Sequence, residues 1–118
     1  MQSSNRSGEN ATASAQIARA RMAASAVVDP DRPMLTVADL GLLRDVRIVE
    51  GFMDVTIAAG YPDGAALNVM ALNVELALED EGFLMPRVRT VPSPPWTVDW
   101  MTEEGRAKLK SAGIAPPR

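Results

Sequence analysis

The 118-residue chain contains no cysteine and no histidine. The first absence excludes disulfides, thiolate nucleophiles and thiolate-held zinc or iron–sulfur centres. The second removes the usual general base and the commonest metal ligand. What remains for chemistry is carboxylates, Lys, Arg, hydroxyls and one Tyr. A metal held by these residues alone would be bound through oxygen. Long apolar runs are also missing. No stretch approaches the roughly 20 apolar residues that span a bilayer, and Met1 to Asn10 lacks the apolar segment of a secretory signal. A cytoplasmic location is expected. Neither charge dominates: 12 basic and 15 acidic residues leave −3, which gives no reason to expect nucleic acid or an anionic membrane as partner. No cluster of acid and base recommends an enzyme either, because Tyr61, Asp63 and Glu103 form no recognisable acid–base arrangement.

The chain has the size of one domain. Residues 1–12 are rich in Gln, Ser and Asn and read as a disordered tail. Residues 13–26 are Ala-rich and read as a helical segment. Its apolar side is thin (Ile17, Met22), and Arg19 and Arg21 make it locally basic, so it is expected to fold only against a partner. Residues 27–118 form a single α+β domain. Two prolines make Asp29 to Pro33 a turn. Thr36 caps one helical turn, which Gly41 ends. Asp45–Val49 and Met53–Ile57 alternate apolar and polar about Glu50-Gly51, as in an antiparallel hairpin. Asp63 can cap a helix over 65–81, in which Leu67, Met70, Val74 and Leu78 recur at helical spacing while Val69, Leu72 and Leu76 widen the apolar surface. Arg87–Val91 is a third strand. Prolines at 92, 94 and 95 exclude a sheet beyond it. Thr102 opens a last helix, which Gly113 closes. The expected fold is a small three-stranded sheet packed with helices.

Two segments carry a family resemblance. Asp29-Pro-Asp-Arg-Pro, followed by Asp39-Leu40-Gly41, resembles the opening signature of the iron–sulfur cluster assembly family. Val91-Pro-Ser-Pro-Pro-Trp96-Thr-Val-Asp-Trp100-Met-Thr-Glu-Glu-Gly105, with the closing Gly113-Ile-Ala-Pro-Pro117, resembles its PaaD-like branch, accessory factors of a bacterial phenylacetyl-CoA oxygenase complex. The resemblance covers about residues 27–117 and implies that family's fold. It also exposes a departure. Where the family carries Tyr-Ser-Gly-Cys, this chain has Tyr61-Pro62-Asp63-Gly64, so Gly64 takes the place of the presumed ligand cysteine. The Cys-rich C-terminal extension common in the branch is not among these 118 residues.

The resemblance therefore implies a scaffold with a degenerate family site at Asp39, Asp63 and Gly64, no cofactor of its own, and a binding role. The leading expectation is a non-catalytic accessory subunit bound to the hydroxylase subunit of a bacterial multicomponent, diiron-type oxygenase. The alternative is a metal–sulfur assembly or carrier factor whose ligands come from a partner. Self-association is left open. The candidate partner-binding residues are Pro94, Pro95, Trp96 and Trp100, because prolines pre-order a loop and Trp anchors interfaces, together with Ile17, Met22, Arg19 and Arg21. Packing of both Trp residues over the small core is the competing reading. Arg47, Arg87 and Arg89 form either a basic stripe or a solvated strand face.

Overall fold

The computed structural model describes residues 2–61, 64–92 and 94–116, with side chains from Thr12 onward. A three-stranded sheet in the order β1-β2-β3 forms the centre. Strands β1 (Leu43–Val49) and β2 (Phe52–Ala58) make the expected antiparallel hairpin. Its turn residues Glu50 and Gly51 both have positive φ, 53° and 86°, which is the mirror-image turn that matches strand twist. Strand β3 (Arg87–Val91) lies parallel to β2. A parallel neighbour needs a crossover, and helix α3 (Gly64–Asp80) supplies it.

Alternation divides the sheet. Val46, Met53, Val55 and Ile57 are buried beneath the helices, with Met70, Val74 and Leu78 of α3 packed on the same core. The opposite face carries the row Arg47, Asp54 and Arg87 in register, with Arg89 beside it. Asp54 is 2% exposed and accepts from Arg89 at 2.7 and 3.3 Å. The arginines thus do more than solvate a strand face: one of them covers a buried carboxylate.

Helix α1 (Gln2–Ser25) is longer than the expected segment and runs through residues expected as tail. Once its second half is anchored, each further residue adds a backbone bond without a new nucleation cost. Nor does that second half await a partner. Ala20 and Ala24 are fully buried and Ile17 packs beside them, while Met22 is 75% exposed. The fully buried part of the packing face is alanine, whose small side chains let the helix approach closely. Arg19 fixes the contact: its guanidinium lies 4.7 Å above the Phe83 ring and donates to the Glu81 carbonyl at 3.1 Å.

The last elements are short and capped. Helix α2 (Val37–Leu40) and helix α4 (Glu103–Ala112) follow Thr36 and Thr102 respectively, and end at Gly41 and Gly113 in the left-handed conformation. The expected Asp63 cap of α3 lies outside the described residues.

Candidate functional site

Three loops meet where β2 and β3 end: the segment before β1, the turn after β2, and the Pro/Trp loop after β3. Ligands of open α/β sheets gather at such carboxyl ends, and Asp39 and Gly64 of the expected site lie on these loops.

The first component is a knot around Asp39. Thr36 and Asp39 form a reciprocal capping box, with amide-to-side-chain bonds of 3.0 and 3.1 Å. Lys108, reaching from α4, donates to Asp39 Oδ2 at 2.6 Å. The Thr102 amide donates to the Asp39 carbonyl at 2.9 Å. Asp39 is 4% exposed. Burial alone would raise its carboxyl; the Lys108 ammonium and the Thr36 groups outweigh it and hold the carboxyl below its ordinary range. Two close approaches seal the knot. A Cβ on Gly105 would stand 2.8 Å from the Asp39 carbonyl oxygen, and one on Gly41 would stand 2.0 Å from that of Trp100.

The second component is a chain around Tyr61. Its hydroxyl donates to Asp29 Oδ2 at 2.8 Å and accepts from Arg32. Asp29 is fully buried, and its other oxygen accepts from the Asp31 amide at 2.9 Å. Burial first, and the Asp29 carboxylate second, push the phenol up to about 12; Arg32 opposes them. Tyr61 is thus a permanent donor at neutral pH. Its ring leans on Trp96 with centroids 5.2 Å apart.

Trp96 is buried and donates its indole N–H to the Leu40 carbonyl, while its own amide bonds to the Ala59 carbonyl. It joins the three loops from within and is not presented to a partner. Trp100 differs. It is half-buried, with the Arg44 guanidinium 4.2 Å above its ring. Arg44 also donates to the Pro94 carbonyl. Pro94 and Pro95 are exposed. The Pro/Trp segment therefore splits into an inner Trp that holds the loops and an outer ridge of Pro94, Pro95 and Trp100. Ser93 and Asp63 lie outside the described residues.

Gly64 opens α3 with φ 54°, and among the described residues nothing beyond its chain neighbours lies within 4 Å of a Cβ built on it. Arg19 and Ile17 are committed to the domain itself, leaving Arg21 and Met22 exposed on α1. Glu103 sits in the first turn of α4, away from Tyr61 in any bonded sense. Among the described residues no three His, Cys, Asp or Glu side chains gather as a metal site. A thiophilic iron–sulfur group does not fit this donor set: the nearby oxygens of Asp29 and Asp39 already accept from Tyr61, Thr36 and Lys108.

Sequence alone makes Asp29 a turn residue and singles out none of Arg32, Arg44 and Lys108. Asp29 and Arg32 lie inside the Asp-Pro-Asp-Arg-Pro run, the one signal that could have marked them.

Comparison with known proteins agrees with this fold. A solved structure of a domain of unknown function from Bacillus anthracis shares the fold, with a TM-score of 0.75 at 20% identity over 90% of this chain and 99% of that one. One component of the putative 1,2-phenylacetyl-CoA epoxidase of Escherichia coli (strain K12) is 34% identical over 94 residues. The match covers 79% of this chain and 56% of the relative, so the chain spans little more than half that protein's length. The model of the iron–sulfur cluster assembly protein family matches residues 17–82. The chain belongs to the iron–sulfur cluster assembly protein family, in its PaaD-like branch, and is built without the family cysteine.

Proposed function

We propose that the chain is a non-catalytic accessory subunit of a bacterial multicomponent oxygenase, of the diiron kind, acting in the cytoplasm on the hydroxylase subunit to support its assembly or stability. The observation that carries this reading is the 34% identity to an epoxidase component across most of the chain. The chemistry supports it. Among the described residues, Asp29 is held by Tyr61 and Asp39 by Lys108, and Tyr61 stays protonated, which supports a non-catalytic role. The ridge of Pro94, Pro95 and Trp100 is the surface offered to the hydroxylase. Its prolines limit the entropy lost on docking, and Trp100 supplies an aromatic anchor.

The family match supports a second reading, in which the chain handles a metal–sulfur cluster as cargo while a partner supplies every thiolate. Tagged chain expressed together with the subunits of a candidate multicomponent oxygenase separates the two. A stoichiometric complex with the hydroxylase, weakened by Trp100→Ala without loss of folding, supports the accessory subunit. Transient capture by cluster-assembly machinery, with no hydroxylase bound, supports the carrier and overturns the first reading.

A further inference from the structure

Helix α3 has two apolar faces. Met70, Val74 and Leu78 are fully buried in the core. At 3.6 residues per turn, Val69, Leu72 and Leu76 centre about 170° away from them. These three are 45%, 53% and 48% exposed. A helix that is apolar on opposite sides serves two interfaces, and the fold accounts for one.

The spacing of the outer stripe is three then four residues, the repeat of a helix-to-helix seam. The residues beside it select the occupant. Asn68, Glu75 and Glu79 border one edge, and Asn73 and Asp80 the other. Parallel pairing with another α3 would bring Glu75 of each helix toward Asp80 of its mate, acid against acid. Antiparallel pairing about Leu72 avoids this. It sets Asn68 opposite Glu75, so that amide donates to carboxylate twice by symmetry. The face is complementary to itself under a two-fold rotation, the symmetry of most protein dimers.

We infer that a second copy of this chain covers the outer face of α3, as an antiparallel helix pair with Leu72 at the two-fold axis. The surface is distinct from the Pro/Trp ridge, so the inference stands apart from the proposed oxygenase partner.

Sedimentation of the full chain from micromolar to millimolar concentration tests it. The expected species is twice the 12.6 kDa chain mass, and Leu72→Lys should abolish it while leaving the circular-dichroism melt of the domain in place. The register is tested by single cysteines, which are unambiguous in a chain that has no other thiol. Leu72→Cys should oxidise to a self-linked dimer. Val69→Cys should not, because its two copies stand about 9 Å apart along the axis, beyond the roughly 7 Å Cα reach of a disulfide. A wild-type chain that stays monomeric throughout overturns the inference. So does a dimer that survives Leu72→Lys, or one that self-links at 69 and not at 72.

Discussion

The two ends of the sheet make opposite use of similar materials. At the carboxyl end of β2 and β3, Gly41 has φ 68° and its missing Cβ leaves room for the Trp100 carbonyl. At the hairpin end, Gly51 has φ 86° and, among the described residues, nothing beyond its chain neighbours within 4 Å of a Cβ built on it. The first end buries Asp29, Asp39 and Trp96. The second leaves Leu84 82% and Met85 75% exposed, with Met85 at φ 48°. The comparison teaches that the degenerate site is not a relic left loose. Its described carboxylates are held by Tyr61, Thr36 and Lys108, while the opposite end is open and exposed.

The largest break in this contrast is expected at the indole. Trp96→Ala removes a buried ring and strands the Leu40 carbonyl, and should cost about 3–5 kcal/mol. Trp100→Ala, whose ring is half-buried, should cost about half as much. Chemical denaturation of both variants measures the difference, and equal costs would erase the distinction between inner and outer Trp.

Next in size are the glycines. Gly41→Ala combines an unfavourable φ with a collision against backbone and should cost at least about 3 kcal/mol. Gly51→Ala meets only the φ penalty, about 1–2 kcal/mol. A thermal melt ranks them; a Gly51 variant as damaged as the Gly41 variant would refute the asymmetry between the ends.

The Asp39–Lys108 pair comes third. Lys108→Met should cost about 1–2 kcal/mol at neutral pH, below the value for a fully buried pair because Lys108 is 45% exposed. The sign in acid follows from the depressed carboxyl. In the parent chain the pair's stabilisation is present above the ordinary value of 3.8 and is lost as pH falls through the lower folded value. In the variant that loss at Asp39 should shrink. Unfolding curves at neutral and acid pH decide it; identical acid sensitivity would show that Lys108 does not hold the charge.

The smallest effect belongs to the open end. Glu50→Asn places Asn-Gly in a turn whose first residue already has φ 53°, and should raise stability by about 0.5–1 kcal/mol. A loss on denaturation would mean that Glu50 makes contacts the geometry does not provide.

Local signals are legible in the sequence. The caps at Thr36 and Thr102, the stops at Gly41 and Gly113, and the hairpin all follow from residues within a turn of one another. The family resemblance places the fold. What the sequence hides depends on distance. Asp29 looks like a turn residue because Tyr61 and its hydroxyl lie 32 positions away. Lys108 looks like an ordinary helix-end cation because Asp39 is 69 positions away. Helix α1 misleads for a different reason: large apolar side chains are the usual mark of a packing face, and this one packs through Ala20 and Ala24.

The central claim is that the oxygens of Asp29 and Asp39 and the Tyr61 phenol hold the loops and are not free to ligate a cluster. Anaerobic reconstitution of the purified 118-residue chain with iron and sulfide tests it most directly, followed by desalting, metal and sulfide analysis, and titration of its single tyrosine. The account predicts no retained iron or sulfide and a phenol that still titrates at about 12. Stoichiometric iron and sulfide on the isolated chain, with the tyrosine titration displaced, would contradict it.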